Sequence, residues 1–228
     1  MPGQQQEQLR SLFRRRNDLV KDIRRMKSRI KSMLLYYGIK LPEKYDNSYW
    51  SKAMIRWIEQ QEWIYETGSE SIQSLLSHYH FVEKEMRRVS VRIRAYCRKH
   101  YKADYYLMRS VPGVGPIVAA GLISELGDIR RFNSRQFAGY IGLVPGIYQS
   151  GEKSKIGGMT YRCHRLLRSY LVEASWQAIR QDPIMEQYYR KHQGKDVKKV
   201  IVKIAHKLAN RILGVVKSGV PYAIGIVE

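Results

Sequence analysis

Residues 72–100, IQSLLSHYHFVEKEMRRVSVRIRAYCRKH, decide the fold class. Ile72, Leu75, Tyr79, Val82, Met86, Val89, Ile93, Tyr96 and His100 step by three and four in alternation, an apolar helical seam sustained for about four heptads. The seam suits an antiparallel coiled-coil hairpin with an upstream helix, and equally a pairing with another copy of the chain. The upstream helix is predicted over the first ~37 residues. There Leu9, Phe13, Val20, Ile23, Ile30, Leu34 and Tyr37 fall mostly on one side. Arg10, Arg14, Arg15, Arg16, Lys21, Arg24, Arg25, Lys27, Arg29 and Lys31 occupy the others, compensated locally only by Asp18 and Asp22. Such a face suits a polyanion better than plain solvent. Gly38 and Pro42 end the helix. A second helix is predicted over residues 49–65, with Trp50, Met54, Trp57 and Ile58 as core anchors rather than base-stacking platforms.

Past Lys102 the heptad register stops and glycines become frequent. This divides the chain into a helical coiled-coil region, residues 1–101, and a C-terminal domain, residues 102–228. Short helices are predicted over 105–109, 117–126, 134–141, 162–180, 183–192 and 196–218, with a glycine-rich loop across 143–158. No alternating strand pattern competes. The class is therefore mainly α: long basic coiled-coil helices, then a small helical domain containing a helix-hairpin-helix. The apolar tail, residues 219–228, either packs back on the domain or pairs with a partner.

The charge balance narrows the partners. Forty-one Lys and Arg against 20 Asp and Glu give a net charge of +21, and a polyanion is the natural counterpart. Nucleic acid is favoured over membrane, because no apolar run approaches the ~20 residues of a spanning helix. The proline after Met1 and the Gln-rich start do not resemble a secretory signal. Two cysteines, Cys97 and Cys163, supply neither a disulfide framework nor a zinc set. The expected setting is a reducing, cytoplasmic, bacterial-type compartment.

Leu107 to Ala120 reads as a helix-hairpin-helix around Val111-Pro112-Gly113-Val114-Gly115. Gly113 and Gly115 let backbone approach a phosphate, Pro116 starts the second helix, and the free amides there suit an anionic oxygen. Such a contact grips backbone without reading bases. An ordinary helix-helix turn using glycine for packing is the alternative.

Gly146 to Ser154 narrowly misses a P-loop, since Glu152 intervenes between Gly151 and Lys153. A nucleotide triphosphatase is excluded. Ser150 instead stands as a candidate nucleophile, with Lys153, Lys155, Arg162 and Arg165 near in sequence to stabilise charge at a phosphate. Glu125, Asp128 and Glu152 form no convincing metal cluster, so no metal site is expected within the chain. On residues alone, an ordinary loop serine is the stronger reading of Ser150, because no base or metal ligand set stands near it.

Four motifs in order carry a resemblance. They are Val111 to Gly115, Phe132 to Pro145, Ser150-Gly151-Glu152-Lys153, and Leu167 to Ala174. Together they resemble the C-terminal domain of the IS110 family of insertion-sequence transposases, with the upstream helices similar to that family's coiled coil. The resemblance implies a DNA recombinase guided by a structured bridging RNA, in which Ser150 attacks a phosphodiester and is joined to DNA; Ser154 is the nearest rival. It also implies an N-terminal RNase H-like domain with metal-binding carboxylates, expected to hold magnesium and not found in this sequence. The chain alone is therefore expected to bind DNA or RNA and self-assemble, but not to exchange strands. Cys163-His164 stands where the family commonly has Gly-Asn, and His164 reads as structural. The alternative is a non-catalytic, architectural or RNA-binding protein.

Overall fold

The computed structural model describes residues 3–46, 49–150 and 153–224; the side chains of residues 147–156 lie outside that description. The described residues form helices α1 (Gln4–Tyr36), α2 (Lys52–Glu59), α3 (Glu66–His100), α4 (Lys102–Ser110), α5 (Pro116–Leu126) and α6 (Ser134–Ile141). A hairpin of β1 (Pro145–Ser150) and β2 (Lys153–Met159) follows, then α7 (Arg165–Gln181), α8 (Pro183–Arg190) and α9 (Val197–Ser218). The fold is mainly α, as its periodicity requires. Among the described residues no helix is long and apolar enough to cross a membrane.

The chain divides into two compact units, one of residues 14–91 and one of residues 1–13 with 92–228. In the first, Met26, Ile30 and Leu34 of α1 share a core with Trp50, Met54 and Ile58 around α2 and with Ile72, Leu76 and Tyr79 of α3. Ser51 starts α2, its side chain accepting the Met54 N–H at 3.1 Å. Arg16 donates to the Ser90 hydroxyl at 3.0 Å, so α1 and α3 run antiparallel within this unit. The predicted stripes hold at their centres and slip elsewhere. Leu19 and Met26 are buried on α1 in place of Val20 and Ile23, and Leu76 and Cys97 on α3 in place of Leu75 and His100. A real helix turns every 3.6 residues, so its buried stripe drifts by ~20° per heptad from a strict 3.5 repeat. The second helix ends at Glu59, short of the predicted Tyr65, and Tyr37 lies beyond α1, exposed.

The other unit is organised on α5 and α9. Residues Ala119 to Leu126 of α5 are all buried, the mark of a helix apolar on every side. Val200, Ile204, Leu208 and Ile212 form the inward stripe of α9, which packs on α4, α6, α7 and α8. Each such side chain contributes about 1.5–3 kcal/mol on burial. The first turns of α1 belong here. Phe13 lies against Gly121, where a Cβ would come within 2.5 Å of its ring. Gln6 donates to the carbonyls of Ile123 and Ser124, and Arg10 to those of Ser124 and Glu125. The Ile123 carbonyl also accepts the Gly127 N–H that closes α5, whereas those of Ser124 and Glu125 lie in the last turn, where carbonyls lack partners within the helix.

The tail turns back on this unit. The Tyr222 amide donates to Ser110 Oγ at 2.8 Å, and its hydroxyl donates to buried Asp182, which also receives Arg211. One expectation is corrected. The glycine-rich loop of residues 143–158 is a β-hairpin. Ser150 pairs with Lys153, so only Gly151 and Glu152 link the strands, and both lie outside the described residues. A glycine opening a two-residue link is itself a hairpin signal, obscured here by Gly157 and Gly158 within the second strand.

Candidate nucleic-acid interface

Between α4 and α5, Val111 and Val114 are buried and fix the connection in place. The two glycines of this turn do different work. Gly113 has φ +85°, and a Cβ there would lie 2.4 Å from the Ala174 carbonyl oxygen and 2.7 Å from the Ala178 nitrogen. Its own N–H donates to Gln181 Oε1 at 2.9 Å. Gly113 therefore lets the turn lie directly on α7, and its amide is engaged there. Gly115 precedes Pro116 at the start of α5, with nothing within 4 Å of where a Cβ would stand. A cavity of about 520 Å³ opens beside this turn, lined by Arg109, Ser110, Gly113, Gly115, Gln177 and Ile224 among others.

The hairpin register decides which residues can act together. Ser150 stands opposite Lys153 and Tyr148 opposite Lys155. Cross-strand partners share a face and alternate positions repeat it, so Ser150, Lys153 and Lys155 occupy positions on one face of the ribbon. Ser154, opposite Gln149, occupies a position on the other. The side chains of all these residues lie outside the described set.

The base of the hairpin is fastened to α7. Thr160 N–H donates to the Val144 carbonyl at 3.2 Å. Arg168 donates to the carbonyls of Thr160 at 2.9 Å and Gly142 at 3.4 Å. His164 begins α7: its Nδ1 accepts the Leu167 N–H at 3.2 Å, which leaves the proton on Nε2, 3.1 Å from Glu125 Oε2. Glu125 is buried and also receives Arg10 Nε at 3.6 Å. His164 is thus a structural cap joining α7 to α5. The sequence reading of His164 as structural agrees with this, although its partners are not readable from the sequence.

Arg162 and Arg165 stand exposed at the same helix start. Among the described residues no acidic group lies within ion-pair distance of either. A cation at the positive end of a helix is disfavoured unless an anion joins it. The structure therefore brings Ser150, Lys153 and Lys155 together by register and places Arg162 and Arg165 at the helix that anchors their hairpin. Gly113 and Gly115 sit apart, at the turn before α5.

Residues 105–190 match the model of the Transposase IS116/IS110/IS902 family. Over these residues the chain is similar to that family. The putative transposase y4qE of Sinorhizobium fredii is 28% identical over 179 residues, 77% of this chain and 42% of its own length. The transposase for insertion sequence element IS1328 of Yersinia enterocolitica is 26% identical over 174 residues, covering 75% and 49%. The transposase for IS1111A of Coxiella burnetii is 36% identical over 78 residues, covering 34% and 21%. The chain thus spans less than half the length of each of these transposases. The matched segment begins in α4 and ends with α8, so it contains the turn, the hairpin and the Arg162–Arg165 corner. Among the described residues no group of three or more His, Cys, Asp or Glu could hold a metal ion; Glu125 and His164 are only a pair. The described residues do not fit a magnesium site.

Proposed function

We propose that this chain supplies the serine half of an RNA-guided DNA transposase. The observation that carries the reading is the hairpin register, which puts Ser150, Lys153 and Lys155 on one face inside a transposase-family domain. In this reading the Ser150 hydroxyl attacks a DNA phosphodiester. An Oγ–P bond forms, one P–O bond to a deoxyribose oxygen breaks, and that oxygen takes up a proton while the Oγ proton is lost. A later strand's hydroxyl reverses the exchange, so the phosphoserine ester conserves the energy of the broken bond. The two lysines neutralise charge developing on the phosphoryl oxygens. Arg162 and Arg165 hold flanking phosphates. The start of α5 at Gly115 offers backbone amides to a further phosphate, with Gly113 shaping the turn. Magnesium and the carboxylates that bind it come from an RNase H-like domain outside the described residues. A bridging RNA carries sequence specificity by base pairing, and copies of the chain assemble on the DNA.

The test supplies the full chain with an RNase H-like domain, bridging RNA and both DNA partners, then looks for protein joined to DNA on denaturing gels. Ser150→Ala should abolish the adduct and the recombinant product, leave duplex affinity unchanged, and differ from Ser154→Ala, which should retain both. An adduct that persists in Ser150→Ala sinks the serine assignment. A chain that binds nucleic acid yet behaves identically with and without Ser150 is the non-catalytic binder instead.

A further inference from the structure

A second surface feature of the family domain has no part in that chemistry. Arg131, Phe132, Gln136, Gly139 and Tyr140 line an open groove of about 530 Å³ along α6. Its walls are aromatic. The Phe132 and Tyr140 ring centres lie 5.4 Å apart, splayed at 48°, and Tyr140 is 42% exposed. The Arg131 guanidinium lies over the Phe132 ring at 4.6 Å and covers one of its faces, so its own plane lines the groove there. The side next to the hairpin is tied to α7, since the Tyr140 ring stacks on His164 at 6.1 Å.

The floor is Gly139, inside a helix. Glycine is a poor helix residue, and here no packing explains it: a Cβ at this position would meet nothing within 4 Å. The space above it is empty of protein. The polar groups available are donors. Gln136 Oε1 already accepts the Asn133 N–H in a capping box, which leaves its amide NH2 to donate. Arg131 offers guanidinium N–H groups beyond the one at the Leu126 carbonyl. Exposed arginines Arg135, Arg162 and Arg165 stand on the elements around it. Two rings, a guanidinium plane and donors, in strongly basic surroundings, match one ligand chemistry. That ligand is a flat heterocycle with carbonyl and ring-nitrogen acceptors, carried on a polyanion.

We infer that this groove holds a single unpaired nucleobase of the bound nucleic acid, stacked against Tyr140 and Phe132. A base inside a duplex has its faces covered, so the groove selects a strand with one base turned out of the stack. The inference rests on the reading that this domain grips nucleic acid and deepens it: phosphates go to the arginines, and one base goes to the groove.

The test uses the full chain and two fluorescent duplexes identical except for one unpaired 2-aminopurine. The wild type should prefer the bulged duplex by roughly tenfold, the scale of one stacked base, with the 2-aminopurine emission quenched. Gly139→Leu, which fills the floor, and Tyr140→Ala should erase the preference and the quenching while affinity for the perfect duplex holds. Tyr140→Phe should keep both. Binding of both duplexes with no preference, or a preference indifferent to Gly139→Leu, overturns this inference alone. Binding to neither at low salt overturns the nucleic-acid reading and this inference together.

Discussion

Residues 14–91 and the rest of the chain hold the same number of acidic side chains but very different numbers of basic ones. The first unit has 16 Lys and Arg against 10 Asp and Glu; the other has 25 against 10. The pairing differs as well. In the first unit Lys21–Asp18, Arg25–Asp22, Lys31–Asp46, Arg87–Glu83 and Arg88–Glu85 neutralise one another at 2.8–3.3 Å. The second has surface pairs too, Arg10–Glu7, Arg130–Asp104, Arg130–Asp128 and Arg190–Glu186 at 2.6–3.3 Å, and adds buried acids: Glu125 receives Arg10 and His164, and Asp182 receives Arg211. Among the described residues, exposed Arg162 and Arg165 have no acidic partner within ion-pair distance. The first helix is strongly basic, yet most of the excess charge belongs to the unit of residues 1–13 and 92–228.

The largest effect that could test this division comes from Gly113. Gly113→Ala meets a positive φ and the α7 backbone at once, and should cost about 3–4 kcal/mol. Hydrogen exchange should show residues 92–218 losing protection while residues 14–91 keep theirs; loss in both alike would mean the units do not unfold separately. Gly115→Ala, with open space and negative φ, serves as the mild control.

Charge comes next. The Arg162→Glu, Arg165→Glu double variant should weaken duplex binding at least about tenfold and flatten its salt dependence by about two phosphate contacts. The matching Arg24→Glu, Arg29→Glu change in the first unit should move affinity only about two- to threefold. Equal losses would refute the contrast drawn here.

An alkaline titration separates the units more finely. Burial pushes the Cys97 thiol up to about 12 from 9.0, and burial also raises Tyr79 in the other unit. The folded chain holds these protons after the unfolded chain has released them. Stability is thus fully present below pH 9 and falls as pH rises from 9 towards 12, by about 1 kcal/mol per pH unit from a fully shifted thiol. Urea melts of the wild type and Cys97→Ala should diverge in that window, and half-buried Cys163 should alkylate first. The smallest effect is Gly139→Ala, expected to stabilise α6 by about 0.5–1 kcal/mol; a lower melting temperature would mean the groove floor is packed after all.

Where side chains announce backbone geometry, the elements were legible. Pro116 and the Asn133–Gln136 capping box start α5 and α6 where the pattern places them, and Gly142 and Gly219, both left-handed, end α6 and α9. Stripes were legible to within one helical turn: Leu19 beside Val20 and Leu76 beside Leu75 offer the helix adjacent apolar choices, while Met26 and Cys97 lie three residues from Ile23 and His100. The hairpin was not, since glycines weaken strand patterning. Ser150, Lys153 and Lys155 stand close together in the sequence, but that Ser150 and Ser154 occupy positions on opposite faces follows only from the register. The engagement of the Gly113 amide by Gln181, 68 residues away, leaves no trace in a linear reading. The groove is not readable there either, because it depends on Phe132 and Tyr140, eight residues apart, meeting beside Gly139.

The contacts of Gln6 and Arg10 with the end of α5 bear on how this protein can be cut. A fragment starting at residue 92 would contain every family motif yet leave Phe13's place over Gly121 vacant and two α5 carbonyls bare. Supplying residues 3–13 as a separate peptide should restore such a fragment, a split-protein arrangement in which the opening segment acts as a detachable keystone.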